Sequence, residues 1–116
     1  MVRIAVDAMG GDYAPLEIVK GSVLAAKEYG VALELVGKQD EIEAELAKYD
    51  TSGLDIKITH ASEVIEMDEP PGVAIRKKKD ASIIKAVAAV ASGSSQAVVA
   101  AGSTGAAMAS SLFGLG

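Results

Sequence analysis

Apolar and polar positions in this chain switch repeatedly between a two-residue and a helical period. Ile4, Ala5 and Val6 form a short apolar run that reads as a buried strand, and Gly10 and Gly11 then let the backbone turn tightly ahead of Pro15. Leu16, Val19, Val23 and Ala26 recur at helical spacing as far as Tyr29, where Gly30 is a natural stop. Residues 32–36 predict a second strand closed by Gly37. Residues 39–49 predict a helix with Ile42, Leu46 and Tyr49 on one face and Glu41, Glu43 and Glu45 on a solvated one. Residues 56–60 alternate apolar and polar like a third strand, more exposed than the first.

Between residues 62 and 79 the regularity fails. Glu69-Pro70-Pro71-Gly72 can continue neither a helix nor a central strand, so a loop over the carboxyl end of the sheet is expected, with a short helix at residues 73–79. Asp80 or Ser82 is placed to cap the next helix, whose stripe of Ile83, Ile84, Val87, Val90 and Ala91 ends at Gly93. Residues 97–101 are small and apolar, the pattern of a parallel strand covered on both faces. Gly102-Ser103-Thr104-Gly105 follows, and residues 106–115 resume helical periodicity with an apolar face that needs a partner outside the stretch ending at Gly116.

Strands alternating with helices predict an α/β fold of three layers with a mainly parallel sheet and right-handed crossovers. In a doubly wound order 3-2-1-4, the strands that lead into the two glycine loops are neighbours, and the crevice lies where the order reverses. Residues 10–12 and 102–105 are therefore expected to face one cleft.

Composition narrows the chemistry. Half of the 116 residues are apolar but only 3% are aromatic, so the core is built from small and branched side chains packed between layers. A net charge of −5 argues against a general polyanion binder and so against nucleic acid. The lack of cysteine excludes disulfides, a thiolate nucleophile and a zinc–thiolate site in this stretch. No signal peptide and no apolar run of about 18 residues is present, and a cytoplasmic protein is the simplest expectation.

Two loops are candidate anion sites. Gly10, Gly11 and Asp12 lie between a strand and a helix start, and Gly102, Ser103, Thr104 and Gly105 add two hydroxyls and several amides at another. Neither is a dinucleotide or P-loop fingerprint, and no cofactor is expected. Arg76, Lys77, Lys78 and Lys79 are the one concentrated basic run; taken alone it reads as a solvated helix end, and otherwise as an attractor of an anionic partner. Asp7 is expected to accept amides of its own turn and Asp12 to cap the first helix, with no metal. His60 reads as a surface or packing residue, and Ser103 lacks the elbow of a covalent nucleophile.

Asp7-Ala8-Met9-Gly10-Gly11-Asp12 with Ala14-Pro15, then Glu69-Pro70, then Arg76-Lys77-Lys78-Lys79-Asp80, then Ala101-Gly102-Ser103-Thr104-Gly105-Ala106, resembles in order and spacing the start of the PlsX family of bacterial phosphate acyltransferases. Ser103 stands where that family commonly has asparagine, and Ala81 where it commonly has the first of two serines. The resemblance spans about the first third of a family member, so residues 1–116 are expected to be the N-terminal portion of one larger α/β domain with no internal boundary. It implies a fold similar to isocitrate and isopropylmalate dehydrogenases, a homodimer, and a cytoplasmic enzyme peripherally associated with the membrane through other regions. The implied reaction moves a long-chain acyl group from acyl carrier protein to inorganic phosphate, giving acyl phosphate for phospholipid synthesis. On that reading residues 102–105 bind phosphate, residues 10–12 form the opposite wall, and the lysine run receives the acidic carrier. The alternatives are a phosphotransacetylase-like transferase and a non-catalytic phosphate-binding or dimerisation fragment.

Overall fold

The computed structural model describes residues 2–11, 13–66 and 69–100. Its elements are β1 (Arg3–Asp7), α1 (Leu16–Tyr29), β2 (Ala32–Gly37), α2 (Gln39–Leu46), β3 (Ile56–His60), α3 (Pro71–Lys77), α4 (Ser82–Ala91) and β4 (Ala97–Val99). The four strands form one parallel sheet in the order β3-β2-β1-β4, as the alternation of strands and helices predicts. The loop at 102–105 and the helix expected at 106–115 lie outside the described residues.

Strand parity sorts the side chains into two unlike faces. Val6, Leu33 and Leu35 face α1 and α2, where Val19, Val23, Ala26 and Ile42 complete a core of branched side chains. The other face meets α4 through Ala5, Val36, Ala61, Ala86 and Ala89, so that helix lies against the sheet on small residues. A third cluster, Ile65, Ala74, Ala81, Ile83 and Val87, anchors the segment around α3 to α4. The sheet's middle is the better covered part: every residue of β2 is buried, whereas β3 and β4 are partly exposed.

Helix ends correct several expectations. Gly30 terminates α1 as predicted, at φ 68° with its N–H donating to the Ala26 carbonyl. Pro15 sits just before that helix and offers its carbonyl to the Val19 N–H at 2.8 Å, while Asp12, the cap expected there, lies outside the described residues. α2 ends at Leu46 rather than residue 49, because the chain tightens into i→i+3 bonds from Lys48 to Glu45 and from Tyr49 to Leu46. Tyr49 still packs on the core. α3 begins two residues earlier than expected, with Pro71 in its first turn. Neither Asp80 nor Ser82 caps α4: the residue before it is Ala81, and both polar side chains have other partners.

Candidate functional site

The carboxyl edge of the sheet carries the turn that follows β1, and its geometry centres on Asp7. That side chain is 5% exposed. Its Oδ1 accepts the Met9 N–H at 3.1 Å and the Ser82 hydroxyl, so the last residue of β1 is tied to the first residue of α4, 75 positions away. The Asx-type turn to Met9 is the one the sequence predicts. Burial raises the carboxyl above the ordinary aspartate range, and the donors from Ser82 and the turn offset only part of that rise.

The first glycine loop uses much of its own backbone. Ala8 N–H donates to the Val36 carbonyl at 2.9 Å, Met9 N–H goes to the Asp7 side chain, and Gly10 N–H leans back on the Asp7 carbonyl at 3.5 Å. Gly11 adopts φ 95°, which only glycine takes up readily. What the turn offers a ligand is therefore the bare Gly11 backbone, while Asp12 lies outside the described residues. Met9 is buried, and its side chain fills the space that Gly37 leaves at the end of β2. A Cβ on Gly37 would stand 2.5 Å from Met9 Cγ, 2.9 Å from its Sδ and 3.1 Å from Ile42 Cδ1.

β1 and β4 are neighbours, paired Ile4 to Ala97, Ala5 to Val98 and Val6 to Val99, so both strands deliver the chain to the same edge. Gly102, Ser103, Thr104 and Gly105 themselves lie outside the described residues. β2 and β3 end at this edge as well. His60, the last residue of β3, accepts the Gln39 N–H on Nδ1 at 3.2 Å and so satisfies an amide at the start of α2. His60 is exposed, which is the surface alternative of the two roles expected of it.

Residues 62–66 and 69–80 belong to a strap whose neck is cinched by Asp80. Its carboxylate accepts the Ser62 N–H at 2.8 Å and the Ser62 hydroxyl, and pairs with Lys85 Nζ at 2.8 Å; Lys85 also donates to the His60 carbonyl. Lys85 and Ser62 hold this carboxyl well below the usual aspartate range. The basic run divides within the strap. Lys78 turns inward to Glu69 and the Val64 carbonyl, and the bond to Glu69 raises its pKa; Arg76 donates from Nε to the Gly72 carbonyl. Lys77 and Lys79 form no ion pair among the described residues. Arg76 and Lys79 line a cavity of about 510 Å³ with Gly72 and Ile75.

One polar residue in the sheet gave no local signal. Glu34, in the middle of β2 and 2% exposed, accepts the Thr59 hydroxyl on Oε2 at 2.6 Å and the Ser94 and Ser95 hydroxyls on Oε1 at 2.7 and 2.8 Å. Burial alone would raise this carboxyl; the three hydroxyls, with Lys57 nearby, outweigh it and leave the pKa below the ordinary range. Among the described residues no group of three or more histidine, aspartate or glutamate side chains is placed to hold a metal.

The family model described as "Fatty acid synthesis protein" matches residues 2–116. Among curated relatives, the phosphate acyltransferase of Pelotomaculum thermopropionicum is 56% identical over 99% of this chain and 33% of its own length. That of Desulforamulus reducens is 56% identical over 100% of the chain and 34% of the relative. The Geobacter sulfurreducens enzyme of the same name is 51% identical over 97% and 32%. The chain thus spans about a third of the length of the relatives it matches. A family match over residues 2–116, with relatives 56% identical over 99–100% of the chain, places this chain in the fatty acid synthesis protein family, beside the phosphate acyltransferases.

Proposed function

We propose that the chain is the amino-terminal part of an enzyme that transfers a long-chain acyl group from acyl carrier protein to inorganic phosphate, feeding phospholipid synthesis. One observation carries this reading: phosphate acyltransferases match it at 51–56% identity across almost its whole length. The parallel sheet is compatible with it, since a doubly wound sheet binds ligands at its carboxyl edge where the strand order reverses. A dehydrogenase-like larger domain, a homodimer and peripheral membrane association belong to the same proposal. Among the described residues no helix is long and apolar enough to cross a membrane.

In the reaction an oxygen of hydrogen phosphate attacks the thioester carbonyl, a C–O bond forms, the C–S bond breaks, and the carrier's thiolate leaves and takes up the proton that the phosphate gives up. Phosphate must be held and partly stripped of water beside that carbonyl. In this proposal Gly102 to Gly105 supply amides and hydroxyls for the phosphate. Gly11 and Asp12 form the opposing wall, and Gly10 contributes shape because its amide is directed toward Asp7. Arg76, Lys77 and Lys79 draw the acidic carrier by long-range attraction. Lys78 serves the strap's own fold.

The test uses the full-length enzyme with long-chain acyl carrier protein and phosphate. Gly105→Leu is expected to abolish acyl phosphate formation while the protein remains folded, and retained turnover would defeat the loop assignment. Preference for acetyl-CoA over the carrier substrate would point instead to a phosphotransacetylase-like enzyme. Phosphate binding without turnover in the intact protein would point to a binding module.

A further inference from the structure

β4 is only three residues long, and its sequence specifies its own position poorly. Residues 97–100 read Ala-Val-Val-Ala, so sliding the strand by one residue exchanges Val98 with Val99 and leaves similar volumes on both faces. Apolar side chains normally set register because a one-residue slip turns the wrong set toward the core, and that penalty is nearly absent here. Three polar attachments lie just ahead of the strand. Gln96 exchanges bonds with Arg3 at 2.8 Å in both directions, Ser95 N–H donates to the Ala89 carbonyl at 3.0 Å, and the paired hydroxyls of Ser94 and Ser95 meet one oxygen of Glu34. The last of these fastens the entry of β4 sideways to the centre of the sheet, and a slipped strand would leave at least one hydroxyl without the carboxylate.

We propose that Glu34 is the positioning residue that fixes the register of β4 and thereby sets where the chain arrives at the carboxyl edge after residue 100. The step rests on the reading of the previous subsection, in which that arriving segment binds phosphate. A buried carboxylate with every donor in place is the kind of group that excludes alternative arrangements, because those arrangements strand it without partners. Thr59 occupies the second oxygen and keeps the carboxylate aimed at the Ser94–Ser95 turn.

The experiment compares Glu34→Leu, Glu34→Gln and the milder Ser95→Ala in the full-length protein by amide hydrogen exchange and steady-state kinetics. Glu34→Leu and Ser95→Ala are expected to speed exchange of residues 97–100 at least tenfold more than that of residues 32–37. Both should raise KM for phosphate several-fold with KM for the acyl donor unchanged, and Glu34→Gln, which keeps an acceptor for the two serines, should restore most of both. Uniform acceleration across the sheet, or loosening of residues 97–100 with an unchanged KM for phosphate, overturns the assignment. Should Glu34→Leu fail to fold, Ser95→Ala decides by the same criteria. If the wild-type protein transfers no acyl group to phosphate, the functional reading fails, and selective exchange at 97–100 still confirms the register role while uniform exchange rejects it.

Discussion

Two buried carboxylates on the α4 side of the sheet respond to pH in opposite directions. Asp7 has its pKa raised in the fold, so the ionised form is disfavoured there; its cost to stability is present at neutral pH and disappears as pH falls below the unfolded value of 3.8. Asp7→Asn keeps an oxygen for Met9 and Ser82, and is expected to match or exceed the wild type in thermal midpoint at pH 7, with the difference shrinking toward pH 4. Glu34 has its pKa lowered, so its contribution is present above the unfolded value of 4.5 and is lost as pH falls through the lower folded value. Glu34→Leu leaves three hydroxyls without their acceptor, and denaturant unfolding at pH 7 should show a loss of about 2–5 kcal/mol. Gly37→Ala is a steric case. Its Cβ would meet the middle of the Met9 side chain, and overpacking of that kind costs about 1–3 kcal/mol by the same measurement.

At the scale of elements, the strap from 62 to 80 is held at two levels. Its neck is the Ser62–Asp80–Lys85 cluster and its body is the Glu69–Lys78 pair, while Ala74 and Ile65 join it to α4. Replacing Lys78 by Met is expected to speed amide exchange within residues 62–80 and leave the sheet's protection unchanged. Charge reversal of Lys79 should do the converse, raising KM for the acidic acyl donor, less so in high salt, with exchange in the strap unaltered. α4 meets the sheet through Ala86 and Ala89, which are 0% and 7% exposed. That close approach brings Ser82 within reach of Asp7, and it explains why the small residues at the sheet's centre matter to the edge.

At the scale of the whole molecule, the order β3-β2-β1-β4 places the end of β1 and the end of β4 side by side. Strands are added on one side of β1 as far as β3 and then on its other side at β4, and this change is also what puts α1 and α2 on one face and α4 on the other. Element types and sheet order were legible in the chain because they depend on periodicity, on glycine stops and on a general rule of handedness. The turn at Asp7 was legible for a related reason, since its acceptor and donor are two residues apart. Local sequence could not show that Ser82 would serve Asp7 instead of capping α4, that Met9 would occupy the space left by Gly37, or that the lysine run would split.

Glu34 marks the limit most clearly. Its partners come from positions 25, 60 and 61 residues away, and strand 32–36 reads the same whether its acid meets water or three hydroxyls. The chain by itself therefore determined which segments become strands and helices, their parallel order and the edge where chemistry is sought, since all of these follow from short-range pattern and chain geometry. Only the folded arrangement decided which polar groups are buried, which of them are satisfied and which cations remain available, because burial and pairing are set by residues brought together from far along the chain.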